Sequence, residues 1–182
     1  LVGGGPGDPG LITTRGRALL SRADVVVVDR LAPRALLDEL DPEVEVIEAG
    51  KAPGKHILGQ DEINRVLVDR ALRGQRVVRL KGGDPYVLGR GSEEAEACRQ
   101  AGVAVEVVPG VTSALAVPAA AGIPVTARGV TSRFSVVSGH DGPLDFAALA
   151  ALDGTLVFLM GVARLAEIAA ELVAHGRPLD EP

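Results

Sequence analysis

The sequence predicts an α/β fold with mostly parallel sheets. Short apolar runs of strand length alternate along the chain with longer stretches of helical periodicity, a pattern typical of parallel α/β domains. Several of the strand-like runs lead directly into loops rich in glycine and proline. A shift toward small residues follows Pro109, and we therefore predict two α/β domains, 1–108 and 109–182, with no long linker between them.

The first domain contains five predicted strands and three predicted helices. The first helix has Thr13 or Thr14 as its capping residue, and the second carries apolar residues on one face and ends at Gly74. A third, short helix ends before Gly102. The predicted strands are 1–4, 25–29, 44–48, 76–80 and 103–108, and the predicted helices are 13–24, 60–74 and 92–100.

The second domain begins with a stretch of small residues, 109–124, that has a helical pattern interrupted by Pro118. Because proline lacks the backbone N–H that a helix interior requires, we expect a kink or break there. Two further strands are predicted at 134–139 and 155–160. The last helix, 162–176, is amphipathic, and the residues predicted to face inward are Leu165, Ile168, Ala169 and Leu172.

Composition excludes several classes of function. The net charge of −5 argues against non-specific binding of nucleic acid, which usually needs a basic surface, and no apolar run approaches the roughly 20 residues of a membrane span. The single cysteine, Cys98, cannot form a disulfide framework, and no secretory signal pattern begins the sequence. We expect a cytoplasmic protein with neither nucleic acid nor membrane as partner.

The first loop, residues 5–10 (GPGDPG), matches the G-x-G-x-x-G pattern of dinucleotide-binding turns, and Asp29 follows at about the spacing of a ribose-binding acid. That turn binds a pyrophosphate through backbone N–H groups, however, and Pro6 and Pro9 have none to donate. The helix is also expected to start several residues after the last glycine. A stiff turn without any ligand is the simplest alternative for this loop considered alone.

Two other loops argue against a turn that binds no ligand. GGDP at 82–85 follows the strand RVVRL, and PGVTSA at 109–114 follows VAVEVV. In an open parallel sheet, ligands bind beyond the carboxyl ends of the strands. Three loops rich in small residues at three such ends predict a site where the backbone comes close to a bulky ligand.

These motifs carry a resemblance to a known family. The chain contains, in order, GGGPGDPGLIT, VVVVDRL, GKAPGKH, QDEIN, RVVRLKGGDPYVLGRGSEEAE, VVPGVTSALAVPAAAGIPVT and TLVFLMG. Over essentially its whole length it resembles the uroporphyrinogen-III C-methyltransferases, a branch of the tetrapyrrole (class III) methylases. The resemblance implies two α/β domains with the active site in the cleft between them, a C-terminal domain that is incomplete in this sequence, and a homodimer.

The resemblance also implies a reaction. S-adenosyl-L-methionine would methylate ring carbons C2 and C7 of uroporphyrinogen III, giving precorrin-2 by way of precorrin-1 for sirohaem and cobalamin, with S-adenosyl-L-homocysteine as the other product and no metal. Asp29 in VVVVDRL resembles the family's proposed general base, although it could instead be an acid that caps a loop. Lys51 in EAGK matches the proposed proton donor, although a solvated surface lysine would look the same.

Further site residues follow from the same resemblance. The substrate carries eight carboxylates, for which arginine forks are suited. The residues predicted to bind substrate are Arg30, His56, Arg90 and Arg128. Those predicted to contact S-adenosylmethionine are Pro6, Gly82, Gly83, Asp84, Val87, Thr112, Ser113 and Met160. The alternatives are a core methionine for Met160 and helix caps for Thr112 and Ser113.

Three rival functions stay open at this point. A sister methyltransferase acting on a later corrin precursor is the nearest, and the DRL and GRG blocks disfavour it. A nicotinamide-dependent oxidoreductase would need a first loop without prolines. A catalytically silent module that binds tetrapyrrole or S-adenosylmethionine would not need Asp29, Lys51 and GGDP together.

Overall fold

The computed structural model describes residues 1–50, 58–140 and 142–181. By its contacts the chain divides into a first unit, Leu1–Ser113, and a second unit, Ala114–Pro182; the domain boundary after residue 108 stays a prediction. The strands are β1 (Val2–Gly3), β2 (Val25–Val28), β3 (Glu45–Glu48), β4 (Val77–Lys81), β5 (Phe134–Ser138) and β6 (Thr155–Leu159). The helices are α1 (Thr14–Leu20), α2 (Gln60–Leu72), α3 (Gly91–Gln100), α4 (Ser113–Ala120), α5 (Phe146–Ala151) and α6 (Leu165–Ala174).

The first unit is built on a parallel sheet with the strand order β1-β4-β2-β3, which confirms the predicted α/β class. β2 lies inside the sheet, and all four of its valines are fully buried. Successive side chains of a strand point to opposite faces. Val26 and Val28 therefore join one apolar core with Leu20 of α1, while Val25 and Val27 join a second core with Leu67 of α2.

The helix boundaries of the first unit follow local signals in the sequence. Thr13 caps α1, since its hydroxyl accepts a hydrogen bond from the Gly16 N–H at 3.0 Å. The helix begins at Thr14, four residues after the last glycine of the first loop, as expected. α2 ends just before Gly74, whose φ of 81° suits a residue without a side chain.

One predicted strand of the first unit is wrong. Residues 103–108 form no strand; Val108 makes only an isolated parallel bridge with Val2. The Gly3 N–H donates to the Val108 carbonyl at 3.0 Å, and the Val108 N–H donates to the Leu1 carbonyl at 2.9 Å. Because β1 offers only two residues for pairing, the segment beside it cannot extend a ladder, even though its composition suits a strand.

The second unit has a smaller parallel sheet, formed by β5 and β6. A kink or break was predicted at Pro118. The helix is not broken there, because α4 continues through Pro118 to Ala120, and Gly122 follows it with a φ of 73°; the kink stays a prediction. The predicted inner face of α6 is wrong at two of its four residues. Ile168 is buried and Leu172 is half-buried, but Leu165 and Ala169 are exposed, because the described part of this unit offers a sheet of two strands to pack against.

Candidate functional site

Three loops of the first unit meet at the carboxyl ends of its strands. The Gly5 N–H donates to the Gly83 carbonyl at 3.2 Å, and the Gly83 N–H donates back to the Gly5 carbonyl at 2.7 Å. Beside this pair, the Gly4 N–H donates to the Lys81 carbonyl at 2.7 Å. The loop after β1 and the loop after β4 are thus joined by backbone hydrogen bonds, in the place where an open parallel sheet binds ligands.

The third loop packs against the first two through glycine. A Cβ atom on Gly110 would overlap the Gly83 carbonyl oxygen and would stand 2.7 Å from the Gly3 Cα atom. Gly83 itself has a φ of 64°, which disfavours other residues, and a Cβ built on it would stand 3.8 Å from the Thr112 Cα atom. A side chain at Gly83 would therefore lie in van der Waals contact with the loop that contains Thr112, and its absence leaves the Gly83 backbone uncovered on that side.

The Asp84 carboxylate connects its own loop, which follows β4, to the loop that contains Gly110. One carboxylate oxygen accepts the Tyr86 N–H at 2.8 Å, and the other accepts the Gly110 N–H at 3.0 Å. Asp84 was predicted to contact S-adenosylmethionine, and in the structure each of its carboxylate oxygens already accepts a backbone N–H. Asp84 therefore has a positioning role within the site, and its contact with a cofactor stays a prediction.

Asp29 lies immediately after β2 and is half-buried. Its N–H donates to the Leu80 carbonyl of β4 at 2.9 Å, and its carboxylate accepts the Arg30 N–H at 2.9 Å. Arg30 is exposed. A Cβ atom built on Gly50 would stand 2.6 Å from the Arg30 Cβ atom, so only glycine fits at position 50. The structure therefore brings the proposed base to the same sheet edge as the three loops.

The turn that follows Asp84 is strained. Leu88 and Arg90 have φ values of 51° and 56° although neither is glycine, and such conformations concentrate at functional sites. The Arg90 guanidinium donates twice to the Glu93 carboxylate, at 2.8 Å each, and this contact lowers the pKa of Glu93. Val87 is half-buried, while Leu88 and Arg90 are exposed. The turn therefore presents one apolar and one cationic side chain to solvent.

Sequence reasoning missed a buried charged cluster behind this edge. The Arg79 Nε and the Lys81 Nζ both donate to Glu94 Oε1 at 3.0 Å, and all three side chains are buried. Burial lowers the pKa of the Lys81 ammonium, and Arg79 lowers it further, whereas Glu94 and Asp29 raise it. The signal was present in the sequence, since a strand that ends R-L-K places two charges on one face of an otherwise apolar element.

The remaining predicted site residues fall into two groups. Pro6, Thr112 and Ser113 are half-buried in the loops of the first unit. Met160 and Arg128 belong to the second unit, where Met160 is exposed with a φ of 59° and Arg128 is exposed in the loop 126–132. Lys51 and His56 lie outside the described residues. Within the described ranges, no group of His, Cys, Asp and Glu side chains could hold a metal ion.

Comparison with known proteins identifies the family. The model of the Tetrapyrrole (Corrin/Porphyrin) Methylases matches residues 1–182. The chain belongs to the tetrapyrrole methylase family. An S-adenosyl-L-methionine-dependent uroporphyrinogen III methyltransferase of Methanosarcina barkeri is 51% identical to this family member over all of the chain and 74% of the relative. In the described part of the chain, no helix is long and apolar enough to cross a membrane.

Solved structures agree with this assignment. A uroporphyrin-III C-methyl transferase from Thermus thermophilus, complexed with S-adenosyl homocysteine, is 45% identical with a TM-score of 0.81, over 97% of this methylase chain and 76% of the other. A cobalt precorrin-4 methyltransferase is 32% identical with a TM-score of 0.82, over 96% and 73%. Other curated relatives are longer, and the chain spans only 39–40% of their length.

Proposed function

We propose that this chain carries out S-adenosyl-L-methionine-dependent methylation of uroporphyrinogen III. The carbons methylated are C2 and C7, and the product is precorrin-2, formed by way of precorrin-1. The observation that carries the proposal is the interlocked set of loops at the carboxyl edge of the first sheet, in a chain 51% identical to a uroporphyrinogen III methyltransferase. The products are S-adenosyl-L-homocysteine and a precursor of sirohaem and cobalamin.

The loops fit a cofactor of this kind. Gly83 has no side chain to cover its backbone, and a Cβ there would already touch the Thr112 Cα and Ser113 N atoms, at 3.8 and 3.9 Å. The uncovered backbone can approach a ligand that a side chain would exclude. We assign cofactor contacts to Pro6, Gly82, Gly83, Asp84, Val87, Thr112, Ser113 and Met160.

S-adenosylmethionine, when bound, supplies an already activated methyl group. The chain's own residues must therefore position an electron-rich pyrrole carbon and remove a proton from it. We assign the proton removal to Asp29, at the end of β2, and proton donation to Lys51. Arg30, His56, Arg90 and Arg128 are assigned to the substrate carboxylates, to which arginine guanidinium groups can donate two parallel hydrogen bonds.

A homodimer in the cytoplasm is also proposed. The resemblance to the family supports the dimer, and the single cysteine, which is buried, is compatible with a reducing compartment. A methyltransferase acting on a later corrin precursor is the alternative, since the cobalt precorrin-4 enzyme has the same fold at the lower identity of 32%.

Mass spectrometry tests the proposed reaction. The full protein is incubated anaerobically with uroporphyrinogen III and S-adenosylmethionine, and the tetrapyrrole is analysed. We expect two added methyl groups, none of them in the Asp29→Asn variant. Unchanged uroporphyrinogen III, together with methylation of a later corrin precursor, would favour the alternative. No methyl transfer to either substrate would refute both.

A further inference from the structure

A buried group of charges lies beneath the proposed site and has no role in the chemistry assigned so far. Arg79 and Lys81 of β4 both donate to the same oxygen of Glu94 in α3. The other oxygen, Oε2, is buried and has no hydrogen-bond partner among the described residues. Two cations with one anion leave a formal charge of +1 in the interior of the first unit, which is costly unless another negative group compensates it.

Strand register identifies that negative group. Val27 pairs with Arg79 and Val28 pairs with Leu80 in the parallel ladder of β2 and β4. The Asp29 N–H continues the ladder by donating to the Leu80 carbonyl, so Asp29 stands beside Lys81 across a spacing of about 4.8 Å between neighbouring strands.

The two side chains also share a face of the sheet. Side chains alternate along a strand, so Asp29 lies on the same face as Val25 and Val27, which pack against the side of the sheet covered by α2 and α3. Lys81 is on that face as well, because its Nζ reaches Glu94 of α3. Glu94 thus contacts the Lys81 ammonium directly, and Asp29 lies on the same face of the sheet and acts on that ammonium through its charge.

We propose that Lys81 is a positioning residue for Asp29: anchored by Glu94, its buried ammonium holds the Asp29 carboxylate in place at the edge of the sheet. The inference rests on the proposed function, in which Asp29 is the base. The proposal does not require a direct hydrogen bond, because a buried cation attracts a nearby half-buried carboxylate through the protein more strongly than it would in bulk water.

This arrangement reduces the electrostatic repulsion between the proposed substrate and Asp29. Uroporphyrinogen III brings eight carboxylates toward a base that is itself a carboxylate, and like charges repel. A fixed cation beneath the base offsets that repulsion without occupying the space where the substrate must lie. Lys81 meets this requirement, since its side chain is only 4% exposed.

The charged groups around Lys81 determine the direction in which its pKa should change when Asp29 is replaced. Arg79, its neighbour on β4, lowers the pKa of Lys81 together with burial, while Glu94 of α3 and Asp29 raise it. Glu93, also on α3, interacts with Lys81 as well. Removing the charge of Asp29 must therefore lower the pKa of Lys81 further.

Nuclear magnetic resonance of the Lys81 ammonium measures this coupling without any need for activity. The full protein is labelled at lysine, and the Lys81 signal is assigned by its loss in Lys81→Arg. We expect Asp29→Asn to lower the pKa of Lys81. Asp24→Asn is the matched control, because Asp24 lies just before the same strand, at its opposite end. Equal values in the two variants would overturn the proposal, whatever the activity of the protein.

Kinetics supply the second readout. We expect Lys81→Met to reduce kcat by about tenfold or more, as for the partial loss of a positioned base, with the KM for S-adenosylmethionine little changed and partial recovery in Lys81→Arg. An unchanged kcat in a folded Lys81→Met would also overturn the proposal. If Lys81→Met does not fold, the pKa of Lys81 in Asp29→Asn, compared with that in Asp24→Asn, still tests the proposal. Coupling in a protein that methylates no tetrapyrrole would refute the proposed function and leave the pairing supported.

Discussion

The two units of this methylase bury their apolar residues very differently. In the first unit, β2 is sandwiched between two cores, and its four valines have an exposed fraction of 0%. In the second unit, the strands β5 and β6 are only partly buried, and Val130 and Val162 are 84% and 89% exposed. The first unit has a sheet of four strands and the second a sheet of two, so a strand in the second sheet has fewer neighbours to cover it.

This difference bears on how the proposed site residues are held. At the carboxyl edge of the first unit, loop backbone is fixed by reciprocal hydrogen bonds, by the Asp84 carboxylate and by glycine contacts. Met160 and Arg128, the candidates from the second unit, are exposed and project from a less buried framework. The proposed site residues of the first unit are therefore held by more backbone contacts than those of the second.

The largest expected effect concerns the buried cluster of the first unit. Glu94→Gln leaves Arg79 and Lys81 without their counter-charge, and breaking a buried ion pair in this way costs roughly 4 kcal/mol of unfolding free energy. The control is Glu93→Gln on the same helical turn, where an exposed pair with Arg90 is lost and the cost should be small. Urea denaturation of both variants makes the measurement. Similar losses in the two would show that burial does not decide the contribution of these charges.

The second effect compares one helix from each unit. Leu67→Ala removes a buried side chain of α2 and is expected to cost about 3 kcal/mol, through lost transfer energy and a cavity. Leu165→Ala in α6 removes a side chain that is 67% exposed and should cost less than about 0.5 kcal/mol. Denaturation curves followed by circular dichroism measure both. If Leu165→Ala proved as costly as Leu67→Ala, the face of α6 that contains Leu165 would be buried in solution.

The smallest effect concerns pH and an exposed ion pair at the opposite edge of the first sheet. Hydrogen bonds from Arg76 lower the pKa of Asp24 to about 2. A carboxylate whose folded pKa is depressed stabilises the protein above its unfolded pKa and loses that contribution as the pH falls through the folded value. Asp24→Asn should therefore be less stable than the unaltered protein at pH 7, and the difference should shrink below about pH 4.

Urea denaturation between neutral pH and the acid range follows that change. Asp153→Asn is the matched control in the second unit, because Asp153 pairs with the exposed Arg133. Asp24 accepts the backbone N–H of Arg76 at 2.7 Å as well as its guanidinium, whereas Asp153 pairs with the Arg133 guanidinium at 2.6 Å. A constant difference for Asp24→Asn at every pH would contradict the role given to its ionised form.

The first unit was largely predictable from the sequence. The run VVVV before Asp29 is the buried strand β2, and Thr13 is the cap of α1, because both depend on local residues whose preferences agree with the fold. The loops after β1 and β4 could be placed at one edge because parallel strands deliver their carboxyl ends there. The same reasoning failed at 103–108, where strand formation depends on the length of the neighbouring strand.

Features that depend on packing or on distant partners were less accessible. The inner face of α6 could not be read from its periodicity, because a helical stripe is buried only where another element covers it. α5 was not predicted, although Asp145 caps it with a hydrogen bond of 2.9 Å from the Ala148 N–H. The cluster of Arg79, Lys81 and Glu94 joins a strand to a helix, and nothing local in either element specifies that their charges meet.

Mapping of backbone amide shifts on addition of S-adenosylhomocysteine tests the central claim most directly. The claim is that the loops at the carboxyl edge of the first sheet bind the cofactor. In the full protein, the amides of Gly83, Val87 and Thr112 should show the largest changes, while those of Asp24 and Arg76 at the opposite edge should not move. Saturable binding whose shifts occur at the opposite edge, and not at Gly83, Val87 and Thr112, would contradict the claim.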